Sequence, residues 1–376
     1  MVTVNIDLFR QGAGIRTDIQ MIFDAPFIGE FSFLLSPKMN IECISSPQCE
    51  GLGFILSDAK EPFRKANRVS VVVPQAIAAL QLSYNGEPEG WHTAINDVIF
   101  AINYYSAWYP DDINVGCRKL RVKFHDNFYT HMVHAHRNVC ENVWEYTPND
   151  SFDCNILAYK DAKLIDGDAL ALLYTGENDG VANTYFDAYN DVAQFCMNLF
   201  GADHISKNTL VILPNGNAQD GYCRKSLIVL GGFSTDISFS RHLLAHEVAH
   251  KWCIGADTHS WEDWLNETTA EWVALLYQLH IGDNATFASV IEEKQRRCKN
   301  HPIIKTADGS RPDGVHDKGV ILFYDIYKKH GYDAIEKMLK LFNSLTEKCT
   351  DKYIQMIDDE IGSDIANMIR IGTASK

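Results

Sequence analysis

The residues of this chain best suited to chemistry lie in one short segment, His246-Glu247-Val248-Ala249-His250. Two histidines four positions apart on a helix lie on the same face, one turn apart, so both imidazoles can bind one metal ion. Glu247 lies beside them and can act on a water molecule at the metal without being a ligand. The alternative is an ordinary amphipathic helix that carries two histidines by chance.

A catalytic zinc site needs a third protein ligand and one open position for water. The following segment, residues 261–272, has apolar residues at helical spacing and contains Glu267. Sixteen residues separate His250 from Glu267, which leaves room for a loop and a returning helix that faces the first. The predicted ligands for one zinc ion per chain are therefore His246, His250 and Glu267.

The sequence His-Glu-Val-Ala-His-Lys-Trp, followed by Trp-Leu-Asn-Glu, resembles the gluzincin zinc peptidases of family M1, the relatives of aminopeptidases and leukotriene hydrolases. In that family the glutamate of Trp-Leu-Asn-Glu is the third zinc ligand, and it corresponds to Glu267 here. The spacer before it is shorter than the eighteen residues usual in the family. The resemblance implies an α+β fold, in which an N-terminal β-sheet domain precedes a thermolysin-like zinc metallopeptidase domain of a small sheet plus helices.

The pattern along the chain agrees with this order of domains. Residues 1–172 contain short apolar runs separated by Gly, Pro, Asn and Asp, which is typical of strands, and we expect them to form a β-rich domain. Residues 173–376 are expected to form the thermolysin-like catalytic domain. The run Glu292 to Arg297 is interpreted as a solvated, salt-bridged helix face. The elements predicted here are a helix ending at Gly201, strands at 210–213 and 227–230, and helices at 286–298, 319–330, 333–345 and 351–361.

The expected chemistry follows from the metal and from Glu247. Zinc lowers the pKa of its bound water to about 7, so that a hydroxide-like nucleophile exists at neutral pH. Glu247 would take the proton as the water attacks a carbonyl and would then deliver it to the leaving amine. Glu271, one helical turn after Glu267, could orient a ligand histidine, or it could be an ordinary surface residue.

The resemblance also assigns an oxyanion donor, with a change of residue type. In family M1 a tyrosine of a Tyr-x-Lys-Gly motif has this role, and the matching stretch here places His316 at the tyrosine's position. An imidazole can donate a hydrogen bond to an oxyanion, so His316 is our candidate. The alternatives are that His316 is an incidental loop residue and activity is weakened or lost, or that Tyr324, two turns further on, is a weaker replacement.

Recognition of a substrate N-terminus is expected to be altered. Aminopeptidases of family M1 hold the α-amine with the glutamate of a Gly-Ala-Met-Glu-Asn strand, and the corresponding stretch here places Cys223 at that glutamate and Arg224 beside it. Asp220 or Gln219 could bind the amine instead, although neither is in register. If Arg224 points into the cleft, it would favour a carboxylate or a carbonyl over an ammonium group.

Composition limits the range of partners. The net charge of −15 over 376 residues argues against nucleic acid and against anionic membrane surfaces. The N-terminus has no basic segment followed by an apolar core, and no apolar run is long enough to span a bilayer. The ten cysteines are scattered without a Cys-x-x-Cys pair, so no disulfide framework or cysteine zinc site is predicted. We therefore expect a reduced, cytoplasmic protein; its oligomeric state stays open.

The sequence thus favours a zinc-dependent metallopeptidase that hydrolyses peptide bonds and is aminopeptidase-like. An alternative of a different class is a catalytically weak or inactive homologue that binds peptides as a scaffold protein, because the family's tyrosine and amine-binding glutamate are replaced. Hydrolysis of a non-peptide such as a lipid epoxide is a third possibility, which depends on family analogy alone.

Overall fold

The computed structural model describes residues 1–49, 51–61, 63–132, 135–146, 154–214, 220–234, 236–299, 301 and 303–374. The chain divides into two compact units, Met1–Lys163 and Leu164–Lys376. This division lies earlier than the boundary expected after residue 172, because the strand Leu170–Thr175 belongs to the sheet of the second unit.

The first unit is built from two sheets. The larger has the order β10-β11-β8-β1-β2-β5-β3, with β4 paired to β5, and the smaller has the order β6-β7-β12-β9. Among the described residues of the first unit, the strand pairings are antiparallel except that of β1 with β8, which is parallel. The described strands are β1 (Val2–Gln11), β2 (Gly14–Leu35), β3 (Met39–Ser45), β4 (Phe54–Ala59), β5 (Ala66–Gly86), β6 (Ala94–Ile95), β7 (Ile99–Ile102), β8 (Cys117–His125), β9 (Tyr129–His131), β10 (His136–Asn138), β11 (Val143–Tyr146) and β12 (Ile156–Tyr159).

Alternation of side chains explains how the large sheet forms a core. In β1, Val2, Val4, Ile6 and Leu8 are buried, while the residues between them are partly exposed. Successive side chains of a strand point to opposite faces, so β1 packs one face on the core and leaves the other partly exposed.

The second unit has a small sheet and then helices. Its sheet has the order β13-β14-β15-β17-β16, in which β14, β15 and β17 are parallel and β16 runs antiparallel. The strands are β13 (Ala162–Asp166), β14 (Leu170–Thr175), β15 (Asn208–Ile212), β16 (Gly221–Arg224) and β17 (Leu227–Leu230). The described helices are α1 (Asp179–Phe200), α2 (Ile237–Ala249), α3 (Trp264–His280), α4 (Asn284–Cys298), α5 (Val315–His330), α6 (Tyr332–Ser344), α7 (Thr350–Glu360) and α8 (Ser363–Ala374). The predicted α+β fold class is confirmed.

Two helices differ from the prediction. The helix predicted at 319–330 begins four residues earlier, at Val315, so Gly319 lies in its second turn. A Cβ at Gly319 would lie 1.9 Å from Thr268 Oγ1, so the glycine allows α5 to approach α3 closely. The helix α8 was not predicted. By contrast, α1 ends as expected, at Gly201 in the left-handed conformation with φ 67°.

The expectations about membrane-spanning segments and about disulfides can be compared with the described residues. None of their helices is both long enough and apolar enough to cross a bilayer. All ten cysteines are among them and all are free thiols.

Candidate metal centre

Helix α2 carries both histidines of the motif. Asp236 caps its first turn by accepting hydrogen bonds from the backbone N–H groups of Ser238 and Phe239. The apolar side of α2 is fully buried and packs against α1 and α3. Since α2 is fixed on that side, His246 and His250, at the end of the helix, have defined positions.

The third candidate ligand, Glu267, lies in the first turn of α3. The loop between the two helices is held by Asn266, whose side chain accepts a hydrogen bond from Ala256 N and donates one to Ala256 O, both 3.0 Å long. This pair of bonds closes the connection, so the shortened spacer still returns Glu267 to the two histidines.

The three side chains place one donor atom each around a common point. His246 Nε2 lies 3.4 Å from Glu267 Oε2 and 3.2 Å from His250 Nε2, and His250 Nε2 lies 3.8 Å from Glu267 Oε2. All three donor atoms lie within 4.8 Å of one another. A tetrahedral zinc ion with ligands at about 2.0–2.2 Å brings neighbouring donor atoms about 3.3–3.6 Å apart. One of the three spacings lies in this range, and the other two lie within about 0.2 Å of it.

The hydrogen bonds of the other ring nitrogens fix the tautomers of both histidines. His246 Nδ1 donates to Glu271 Oε2 at 2.7 Å, and His250 Nδ1 donates to the carbonyl oxygen of Cys253 at 3.2 Å. Both Nε2 atoms of the neutral rings therefore carry lone pairs, and these point towards each other and towards Glu267. Three acceptors this close repel each other unless a proton or a metal ion lies between them. The residues present fit a zinc ion.

The electrostatics of the site also favour a positive charge. Burial opposes protonation of His246, but the carboxylates of Glu267 and Glu271 raise the pKa of this imidazole to about 10. Burial alone would raise the pKa of Glu267. Its pKa nevertheless lies well below the usual range, because three histidines, His316, His250 and His246, stabilise the carboxylate. The site thus keeps its carboxylate ionised and attracts either a proton or a metal ion.

Glu247 is buried beside the histidines, with 4% of its surface exposed. Burial raises the pKa of its carboxyl group, and the neighbouring imidazoles of His246 and His250 oppose this rise. It is outside the group of three donor atoms. A carboxyl group that is close to the metal centre without being one of its ligands can accept a proton from water.

Glu271 lies at 5% exposure, so it is not an ordinary surface residue. Besides His246, it contacts His242 Nε2 at 3.2 Å and Lys294 Nζ at 3.3 Å. Burial opposes its charge, but Lys294 and His242 hold the pKa of Glu271 well below its usual range. A permanently ionised carboxylate is therefore available to hold the ring of His246.

Lys294 is a neighbour of the candidate site that the sequence pattern missed. It lies in the run interpreted as a solvated face, and its neighbours Arg296 and Arg297 do pair with Glu293 at the surface. The Lys294 side chain, however, is only 15% exposed and lies between the buried carboxylates of Glu271 and Asp317, 3.3 Å from each. The helical periodicity of α4 predicts which face Lys294 lies on. It does not predict that α3 and α5 place carboxylates against that face.

His316 lies in the first turn of α5 and not in a loop, and its side chain is 49% exposed. Its Nδ1 lies 2.9 Å from Glu267 Oε2, and its Nε2 lies 3.0 Å from Arg311 Nη2. Arg311 carries no motif signal and was not predicted. Tyr324, by contrast, lies in the middle of α5 with its ring against Phe287 and Tyr327.

The candidates for substrate recognition lie on or next to the strand β16, which packs beside α2. Burial raises the pKa of the Cys223 thiol to about 12, and the carboxylate of Glu247 contributes to this rise. The charge of Arg224 acts on Glu247 in the opposite sense, so both residues are near the candidate base. Asp220 precedes β16 and accepts a backbone hydrogen bond from Gly231 N at 2.9 Å. Gln219 lies outside the described residues.

The fold of the chain is similar to that of solved structures. An M1 zinc metallopeptidase from Deinococcus radiodurans, bound to a Tyr-Ser-Ala substrate, matches with a TM-score of 0.61 and 13% identity over 99% of this chain and 93% of that chain. The fold is that of the M1 metallopeptidases. Leukotriene A4 hydrolase of yeast matches with a TM-score of 0.63 and 11% identity over 98% of this chain. This chain spans 66% of the hydrolase's length.

No protein-family model matches the sequence, and no curated protein matches it. At 11–13% identity the likeness to solved structures concerns the fold. The assignment of individual residues therefore depends on the geometry described above.

Proposed function

We propose that this protein is a divergent, zinc-dependent metallopeptidase of the M1 type that hydrolyses peptide bonds. The observation that carries the proposal is the convergence of one donor atom each from His246, His250 and Glu267, with buried Glu247 beside them. The M1 fold supports it, and so does the substrate complex known for the metallopeptidase from Deinococcus radiodurans.

In this proposal His246, His250 and Glu267 would hold the zinc ion. A bound zinc ion would supply Lewis acidity, which would make a nearby water more acidic and polarise a carbonyl group. Glu247 then takes a proton from the attacking water and passes it to the leaving amine. Burial raises the pKa of Glu247, which brings it closer to neutral pH and makes it a more effective proton acceptor and donor.

The remaining residues orient the ligands and the substrate. Glu271 keeps the lone pair of His246 directed at the metal site by accepting the proton of Nδ1. His316, next to Glu267, is the candidate donor to the carbonyl oxygen as negative charge develops on it. Arg224 is the candidate that contacts a carboxylate or carbonyl group of the substrate, while Asp220 is the candidate for a free amine.

A direct test combines metal analysis with peptide cleavage. The wild-type protein is expected to contain about one zinc per chain and to cleave a peptide library. Glu247→Gln is nearly isosteric and is expected to keep the zinc while the rate falls by about 10²–10⁴-fold, the usual contribution of general acid–base catalysis. Equal rates for the two proteins would overturn the proposal.

The library should contain each peptide with a free and with an acetylated N-terminus. Cleavage of free N-termini only would identify an aminopeptidase, with Asp220 as the first residue to replace. Cleavage of acetylated peptides would identify endopeptidase action and favour a role for Arg224. Either result supports peptide hydrolysis and decides between the two modes of recognition.

A second candidate function is peptide binding without effective catalysis. The observation that favours it is that both ring nitrogens of His316 already have partners, Glu267 and Arg311. If zinc is bound and peptides bind but no bond is cleaved, this second function replaces the first.

A further inference from the structure

The ammonium group of Lys294 lies among oxygen atoms of two other helices. Its Nζ is 3.3 Å from Glu271 Oε1 in α3 and 3.3 Å from Asp317 Oδ1 in α5. It also donates a hydrogen bond to the backbone carbonyl oxygen of His316 at 3.1 Å. An ammonium group has three N–H donors, so each of the three oxygen atoms can receive one. Lys294, which belongs to α4, therefore joins α3 to the first turn of α5.

The three charged side chains of this group are largely withdrawn from water. Those of Glu271 and Asp317 are both 7% exposed, and that of Lys294 is 15% exposed. Burial opposes the charge of Lys294, but the two carboxylates raise the pKa of its ammonium group above the usual value. A buried charge without a partner is costly, so removal of the ammonium would leave two like charges facing the same space.

Asp317 gives the ammonium group a defined position. Its second oxygen, Oδ2, lies 3.1 Å from Nε2 of His301, a residue outside both α4 and α5. The ring of His301 covers Gly314, the residue directly before α5, where an added Cβ would overlap the ring. The start of α5 thus holds Asp317, and Asp317 holds Lys294 opposite Glu271.

Glu271 has contacts on both of its oxygen atoms. Oε2 accepts the hydrogen bond from His246 Nδ1 at 2.7 Å. Oε1 lies 3.2 Å from His242 Nε2 and 3.3 Å from Lys294 Nζ. The terminal torsion of a glutamate side chain is soft, so partners on both oxygens are needed to hold one orientation of the carboxylate. Lys294 supplies one of the contacts that keep Oε2 directed at His246.

We propose that Lys294 is a positioning residue of the metal centre, which orients the carboxylate of Glu271 and, through it, the ring of His246. This inference rests on the proposed function, because it takes His246 to be a zinc ligand. Partners that orient a metal-ligating histidine contribute to metal affinity. Lys294 acts on such a partner, one contact further from the metal, so its contribution is smaller than that of Glu271.

The first readout is zinc affinity, measured on the full-length protein by competition with a chromogenic chelator. Lys294→Met keeps the length and the apolar stem of the side chain and removes its charge. It is expected to weaken zinc binding about tenfold, the lower end of the range for residues that orient metal ligands. Lys294→Arg keeps the positive charge and is expected to restore part of the affinity. An affinity of Lys294→Met within twofold of the wild type would overturn the proposal.

A double-mutant cycle separates positioning from general support of the fold. In a Glu271→Gln background, Lys294→Met is expected to cause no further loss of zinc affinity, because the carboxylate on which Lys294 acts is already gone. Losses that multiply in the double variant would show that Lys294 acts independently of Glu271, and they would contradict the proposal.

Tyr353→Phe is the control for stability. The buried Tyr353 hydroxyl of α7 donates to the carbonyl oxygen of Met338 in α6 at 3.0 Å. Its removal is expected to lower the urea midpoint and to leave zinc affinity unchanged. If Tyr353→Phe weakened zinc binding as much as Lys294→Met does at a similar loss of stability, zinc affinity would simply follow stability, and the positioning role would be refuted.

If Lys294→Met does not fold, the double variant of Lys294→Met with Asp317→Asn takes its place. This variant removes one charge of each sign from the buried group, so a single unpaired carboxylate remains instead of two. The same tenfold loss of zinc affinity is expected, because Glu271 still loses its ammonium partner. An affinity equal to that of the wild type would again overturn the role of Lys294.

The two proposals fail in different ways. If the zinc affinities follow the expected pattern but the wild type cleaves no peptide, the role of Lys294 stands and the proposed peptidase function falls. If peptides are cleaved and Lys294→Met binds zinc as tightly as the wild type, the role of Lys294 falls and the peptidase function stands. A wild type that binds no zinc would overturn both.

Discussion

Replacement of Glu271 by glutamine is expected to weaken zinc binding about 10–100-fold while the fold stays intact. Glu271 Oε2 accepts the proton of His246 Nδ1 at 2.7 Å, and its other oxygen contacts His242 and Lys294. Glutamine offers one oxygen and one NH₂ group. Either His246 loses its acceptor, or the NH₂ group faces the ammonium of Lys294, so one side of this network is mismatched in both orientations.

The size of the effect follows from this geometry. Partners that orient a metal-ligating histidine typically contribute 10–100-fold in metal affinity, which corresponds to about 1.4–2.7 kcal/mol. We expect the upper part of this range if the NH₂ group turns towards His246, because Nδ1–H then faces another donor. We expect the lower part if it turns towards Lys294, because the orientation of His246 is kept and only the charge is lost.

The assay is competition for zinc between the protein and a chromogenic chelator at fixed pH and ionic strength. Glu262→Gln is the matched control, because Glu262 is a partly buried glutamate whose carboxylate accepts hydrogen bonds from Thr350 at the start of α7. The control is expected to lower the unfolding temperature without changing zinc affinity. A zinc affinity of Glu271→Gln within twofold of the wild type would refute the role assigned to Glu271.

Two further predictions concern pH and packing. The pKa of His246 is raised to about 10 in the metal-free protein, and zinc binds the neutral ring. Zinc binding near pH 7 should therefore release about one proton, and zinc affinity should rise about tenfold per pH unit. Calorimetry in buffers of different ionisation enthalpy measures the number of protons released, and a value of zero would contradict the prediction. The raised pKa of His246 also contributes to the stability of the metal-free fold. This contribution is complete below about pH 6.5 and is lost as the pH rises towards about 10. Urea unfolding at several pH values would detect the loss as a falling free energy of unfolding. Gly319→Ala should destabilise the protein by about 1–3 kcal/mol, since its Cβ would meet Thr268 Oγ1 and the ring of Trp264, and an unchanged urea midpoint would show that α3 and α5 can separate without cost.

The sequence predicts the parts of the fold that depend on local pattern. The short apolar runs separated by Gly, Pro, Asn and Asp predict a β-rich first unit, and the apolar spacing before Gly201 predicts the helix α1. The predicted helix 319–330 begins later than α5, in which Gly319 lies inside the helix and meets Thr268 of α3. A glycine is needed at this position because of the contact between α5 and α3, and no local sequence pattern contains that tertiary contact.

The candidate site, like the fold, has parts that the sequence pattern predicts and parts that it does not. The donors on α2 and α3 have a fixed spacing in the sequence, so the group of His246, His250 and Glu267 could be named in advance, although its role as a metal site stays a proposal. Lys294 and Arg311 could not be found, because one lies in a charge run typical of a solvated surface and the other in a loop without a motif. Their partners come from distant parts of the chain, and only the folded structure brings them together.

Metal content of the purified protein tests the central claim most directly. Inductively coupled plasma mass spectrometry on the wild type and on His250→Ala, after reconstitution with zinc and removal of free metal, should give about one zinc per chain for the wild type. The variant should retain little or none at the same protein concentration, with a circular dichroism spectrum like that of the wild type. A wild type that binds no zinc after reconstitution, or a His250→Ala variant that binds it equally well, would contradict the metal centre built on His246, His250 and Glu267.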